Sequence, residues 1–133
     1  VNAGHESIMV FDRSKNFEFI KSELPPIGIV KYFTESMVKS KTINLKDKTF
    51  VVYTDGVTEG YLKNGEELGA EGVQRIVKGL DTTTPKNIVD SIAAELNWGA
   101  EKLRDDITCL ALDLKNTELL KKIKKKTTEK SDK

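Results

Sequence analysis

Apolar and polar positions change their period twice along the chain. From Ser7 to Phe11 and from Phe17 to Ile20, short apolar runs flank the polar stretch Asp12-Arg13-Ser14-Lys15-Asn16. This predicts two strands joined by a turn. Leu24-Pro25-Pro26-Ile27-Gly28 then breaks regular structure, because proline donates nothing to a ladder and restricts the residue before it. Met37 to Leu45 alternates loosely, as on a half-exposed strand, and Lys46-Asp47-Lys48 makes the next turn. Thr49 to Thr54 is the most strand-like run of the first half.

Beyond the tight-turn pair Asn64-Gly65 the spacing becomes helical. Val73, Ile76, Val77 and Leu80 share one helical face. Ile88, Ile92 and Leu96 share another, with Val89 and Ala93 beside them, Thr84 as N-cap and Pro85 at the first helical position. Asn97-Trp98-Gly99 closes that second helix. Ile107 to Leu114 is nearly continuous apolar, the pattern of a strand covered on both faces. Strands, then helices, then a final buried strand predict an α+β fold with helices packed on a mainly antiparallel sheet.

A chain of 133 residues holds one domain with a core and is too short for two of ordinary size. Its formal charge, 22 − 21 = +1, gives no overall pull toward nucleic acid or an anionic membrane. The charge is uneven, since Lys115 to Lys133 carries eight lysines against Glu118, Glu129 and Asp132. That end reads as a short helix fraying into a solvated tail rather than as a nucleic-acid patch. The single cysteine, Cys109, excludes an internal disulfide, fits a reducing compartment, and sits in an apolar run as a buried small hydrophobe would. No membrane span or signal peptide is visible. The chain opens Val1-Asn2-Ala3 without an initiator methionine, which raises the expectation of a piece of a longer polypeptide.

Two places set carboxylates at the boundary of an apolar strand. Asp55 stands at the C-terminal end of Thr49–Thr54, and Asp105-Asp106 stands at the start of Ile107–Leu114. If these strands are antiparallel neighbours, ~4.8 Å apart, Asp55 and Asp105 can share one divalent ion. Carboxylate oxygens favour Mg²⁺ or Mn²⁺ over zinc, which prefers nitrogen and sulfur. Only His5 and Cys109 offer those atoms, with no zinc spacing. The same residues allow a plainer reading: Asp55-Gly56 as a hairpin turn and Asp105-Asp106 as a loop that starts a strand.

Five stretches in order resemble the C-terminal half of the metal-dependent PPM serine/threonine phosphatases, in the bacterial branch of the stage II sporulation phosphatase and sigma-factor regulators. They are "NAGHESIMVFD" (Asn2–Asp12), "PPIGI" (Pro25–Ile29), "VVYTDGVTEG" (Val51–Gly60), "NGEELGAEGV" (Asn64–Val73) and "DDITCLAL" (Asp105–Leu112). The resemblance divides the chain into a phosphatase portion, 1–114, and a lysine-rich end, 115–133. It implies an α-β-β-α sandwich of two antiparallel sheets flanked by helices, with two Mn²⁺ or Mg²⁺ ions at one end. A metal-activated water, rather than a protein nucleophile, would attack the phosphorus of phosphoserine or phosphothreonine.

Carried over by motif, Asp55 and Asp105 resemble metal ligands, and Asp106 is either a further ligand or a group that orients the site. Gly56 lets the backbone turn beside the ion, and His5 lies at the edge of the site. Thr58 and Glu59 receive no catalytic role. The family's earlier acidic motifs have no counterpart here, so the expectation is a C-terminal fragment that is inactive alone, with open sheet edges able to pair between copies. The implied partners are an upstream sensor region and a phosphorylated regulator such as an anti-sigma-factor antagonist, in the cytoplasm of a bacterium. The competing readings are a pseudophosphatase that binds a regulator without chemistry, and a plain α+β interaction module.

Overall fold

The computed structural model describes residues 1–44, 46–97 and 105–113. Four strands, β1 (Ile8–Phe11), β2 (Phe17–Ile20), β3 (Thr49–Tyr53) and β4 (Cys109–Asp113), form one antiparallel sheet in the order β2-β1-β3-β4. β1 and β2 fold back around the predicted polar turn. There the Asp12 carboxylate accepts from the amides of Ser14 (2.8 Å) and Asn16 (3.1 Å), and Lys15 takes a φ of +58°. Hydrogen bonds from Asn16, its side chain foremost, hold the Asp12 carboxyl below its ordinary range.

The helices follow from the 3.6-residue spacing. A short turn, α1 (Asp55–Thr58), leads through the Asn64-Gly65 turn to α2 (Gly69–Gly79) and then to α3 (Pro85–Glu95). Gly65 adopts a φ of +84°, and Tyr61 bridges Glu67 across the turn. Thr84 caps α3 by accepting from the Asn87 amide (3.2 Å), with Pro85 in the first turn, where no amide proton is needed.

Alternation along the strands sorts the sheet into two faces. Met9, Phe11, Val51 and Tyr53 point to the helices and meet Val57, Leu68, Val73, Val77, Ile88, Ile92 and Leu96 in one buried core. The opposite row, read from the strand register, holds Ile8, Val10, Phe50, Val52, Leu110 and Leu112. The described residues therefore form the antiparallel sheet and one helical layer of the expected sandwich.

Three expectations need correction. Met37–Leu45 is not a strand over its described residues; a 3-10 turn, Glu35–Met37, is followed by an exposed segment in which Ile43 is half-buried. Lys39 and Lys41 occupy positions where a strand would need apolar side chains. Their contacts are with Glu23 and Glu18 at the surface, and such contacts do little to offset the entropy of ordering a strand. β4 is an edge strand covered on one face only, with Leu110 60% and Leu112 47% exposed, because no layer of the described chain lies over that face. Asp55-Gly56 opens the helical turn α1 instead of a two-residue hairpin. Trp98, Gly99 and the lysine-rich segment from Lys115 lie outside the described residues. Among the described residues no helix is long and apolar enough to cross a membrane.

Candidate metal site at the β3–β4 end of the sheet

β3 and β4 run antiparallel with Tyr53 opposite Cys109, so the end of one strand adjoins the start of the other. The pairing continues one step beyond the strands, where the Thr54 amide donates to the Thr108 carbonyl (3.0 Å). Asp55 then begins α1, and Asp105-Asp106 crosses in front of that turn. Gly56 makes the crossing possible: an added Cβ would lie 2.5 Å from the Asp106 carbonyl oxygen and 3.3 Å from that of Asp105. Few side chains larger than hydrogen fit such an approach.

Asp55, Asp105 and Asp106 are all exposed. One oxygen of Asp55 accepts from the Gly56 amide (2.9 Å), and one oxygen of Asp105 accepts from the Asp106 amide (2.7 Å). These local bonds orient the carboxylates, and the other oxygen of each has no partner among the described residues. Asp106 contributes through its main chain, giving its amide to Asp105 and its carbonyl to the Thr54 hydroxyl (2.9 Å).

The donor set fits part of a Mg²⁺ or Mn²⁺ site. Two hard, exposed carboxylates stand at one sheet end, as such ions require. Among the described residues no group of three or more His, Cys, Asp or Glu side chains converges to complete a cage. Soft ligation is not offered here: Cys109 packs against the core, and its burial pushes the thiol up to about 11.

His5 sits on the approach to β1, at the end of the sheet where β3 stops. It is exposed, its ring Nδ1 lies 3.1 Å from the Glu6 carbonyl, and its amide donates to Asn2 Oδ1 (3.1 Å). Among the described residues no hydrogen bond or ion pair joins it to Asp55 or Asp105. The surrounding motif is architectural. Gly4, with φ +78°, leaves no room for a Cβ beside Pro26, and its amide donates to Ser22 Oγ (2.6 Å). The buried Asn2 amide group donates to the Glu6 carbonyl (3.0 Å). Gly4 of "NAGH" thus packs against Pro26 of "PPIG".

Thr58 and Glu59 also act locally, the Thr58 hydroxyl (3.1 Å) and the Glu59 amide (2.7 Å) both donating to the Asp55 carbonyl. The residue that sequence reasoning passed over is Thr54. Its signal was a hydroxyl at a strand end directly before an acid.

The family of stage II sporulation protein E (SpoIIE) matches over residues 1–115. Among solved structures, the chain is similar to the SiaA-PP2C domain of Pseudomonas aeruginosa, with TM-score 0.60 and 20% identity over 84% of this chain and 44% of that one. It is also similar to the structure of the PP2C phosphatase domain and a fragment of the regulatory domain of the cell fate determinant SpoIIE from Bacillus subtilis. There the TM-score is 0.59 and the identity 20%, over 84% of this chain and 32% of that one. The chain thus spans less than half the length of either structure. No curated protein matches it.

Proposed function

The chain belongs to the stage II sporulation protein E family, with the fold of PP2C phosphatase domains, and from that premise we propose that it is the C-terminal part of a metal-dependent protein serine/threonine phosphatase. The observation that carries the proposal is the crossing of Asp105-Asp106 over Asp55-Gly56 at one end of the sheet. It brings two exposed carboxylates from distant parts of the sequence to one place. Asp55 and Asp105 would hold Mn²⁺ or Mg²⁺, Gly56 lets the two backbones approach, and Asp106 orients Asp105. A divalent ion supplies Lewis acidity there, lowering the pKa of water and offsetting the negative charge of a phosphoryl group.

The remaining acids of a two-metal centre and the second sheet are proposed to come from sequence outside this chain. The exposed Leu110 and Leu112, in one row with the half-buried Phe50 and Val52, support this, since an apolar sheet face is stable only when covered. The substrate class is a phosphoserine or phosphothreonine on a small regulator of the anti-sigma-factor antagonist type. The domain would act in the cytoplasm as the output of an upstream sensor region.

Asp55→Asn in the full-length protein tests the reading. The proposal expects Mn²⁺-dependent hydrolysis of a phosphoserine peptide to fall at least a hundredfold while the protein stays folded, the scale on which electrostatic stabilisation acts. Unchanged turnover would remove Asp55 from the metal site, and no turnover in the parent protein with Mn²⁺ would favour a regulator-binding pseudophosphatase.

A further inference from the structure

Thr54 stands where a threonine ordinarily caps the following helix, at the N-cap of α1 with extended dihedrals (φ −79°, ψ 163°). It does not cap, because its side chain makes no bond to the α1 amides. The hydroxyl instead turns across the strand pair. It donates to the Asp106 carbonyl at 2.9 Å and accepts from the Thr108 amide at 3.0 Å. A hydroxyl has one proton to give and lone pairs to receive, so both bonds are made together. The Thr108 carbonyl, 3.5 Å from the same oxygen, is the poorer acceptor for that proton and already receives the Thr54 amide.

The consequence is a clamp on either side of Ile107. The Asp106 carbonyl before Ile107 and the Thr108 amide after it are both tied to a single oxygen, on the residue before Asp55. The Asp106 carbonyl is the same group that lies over Gly56. Three successive residues therefore divide the work: Thr54 grips the Asp105-Asp106 crossing, Asp55 presents a carboxylate, and Gly56 leaves room for the crossing segment.

We propose that Thr54 is a positioning residue for the metal site, setting the relation of Asp105 to Asp55 through its hydroxyl and thereby setting divalent-ion affinity. This rests on the metal-site reading given above. The inference assigns Thr54 no contact with substrate or ion. It predicts that the hydroxyl matters and the methyl group does not.

The test compares Thr54→Val, Thr54→Ser and Asp55→Asn with the parent in the full-length protein. Two readouts are taken: Mn²⁺ affinity by titration calorimetry, and hydrogen exchange of the Thr108 amide in the metal-free state. Thr54→Val should weaken Mn²⁺ binding at least fivefold and deprotect the Thr108 amide. Thr54→Ser should stay within twofold of the parent in both. Parent-like Mn²⁺ affinity in Thr54→Val, with binding lost in Asp55→Asn, would overturn the role of Thr54 and leave the metal site standing. Equal loss in the Ser and Val variants would also overturn it. If Asp55→Asn binds Mn²⁺ as the parent does, the metal site itself fails and this inference fails with it.

Discussion

The carbonyl oxygen of Asp106 lies 2.5 Å from where a Cβ on Gly56 would stand. The neighbour is backbone and is further tied to the Thr54 hydroxyl, so it has little freedom to retreat. Gly56→Ala should therefore cost about 1–3 kcal/mol, the usual penalty of overpacking. Gly79, at the end of α2, has nothing within 4 Å of an added Cβ. Gly79→Ala should be neutral or stabilise by up to about 1 kcal/mol, as alanine does in a helix. Denaturant titration of the two variants checks the contrast, and equal stabilities would show that the crossing is not tight.

Tyr53 is buried in the core, and its hydroxyl has no hydrogen-bond partner among the described residues. Burial, then the charge of Glu6, then Cys109, push its pKa up from 10.0 to about 12. The unfolded chain thus loses this proton first as pH rises. The contribution of the neutral phenol to stability is complete below pH 10 and is lost progressively between pH 10 and about 12. Tyr53→Phe should match or exceed the parent in thermal stability at pH 7, since it removes an unpaired buried hydroxyl. It should also show a shallower loss between pH 10 and 12. A variant clearly less stable at pH 7 would mean that the hydroxyl is paired in solution.

Leu110 and Leu112 stand exposed on the uncovered face of an edge strand, in one row with Phe50 and Val52. Such a face, next to unpaired ladder groups, favours association. The isolated chain should elute in sizing above the monomer position as concentration rises. Leu110→Ser combined with Leu112→Ser should restore the monomer. A parent chain that is monomeric at high concentration would contradict this.

The elements that sequence made legible are those whose period and end signals agree. α3 has an apolar stripe, a threonine cap and a proline in its first turn, and all three occur as expected. The β3–β4 neighbourhood was likewise readable from two apolar runs, each bounded by acid. Over Met37–Leu45 loose alternation is misleading, because the lysines leave too little apolar surface for a strand. The apolar run Ile107–Leu114 suggests cover on both faces because composition reports what a face prefers and not what the chain places against it. Thr54 escaped notice for a different reason. A hydroxyl before a helix signals a cap, and only the register of β3 and β4 reveals that this one points elsewhere.

The central claim is that Asp55 and Asp105 share a divalent ion, and paramagnetic broadening by Mn²⁺ tests it on the chain itself. With sub-stoichiometric Mn²⁺, amide signals of residues 55–57 and 105–108 should broaden first, before those near the acidic pair Glu66-Glu67 or around Asp81 and Asp90. Asp55→Asn should abolish that order. Broadening that begins elsewhere, or spreads evenly over the exposed acids, would contradict the claim.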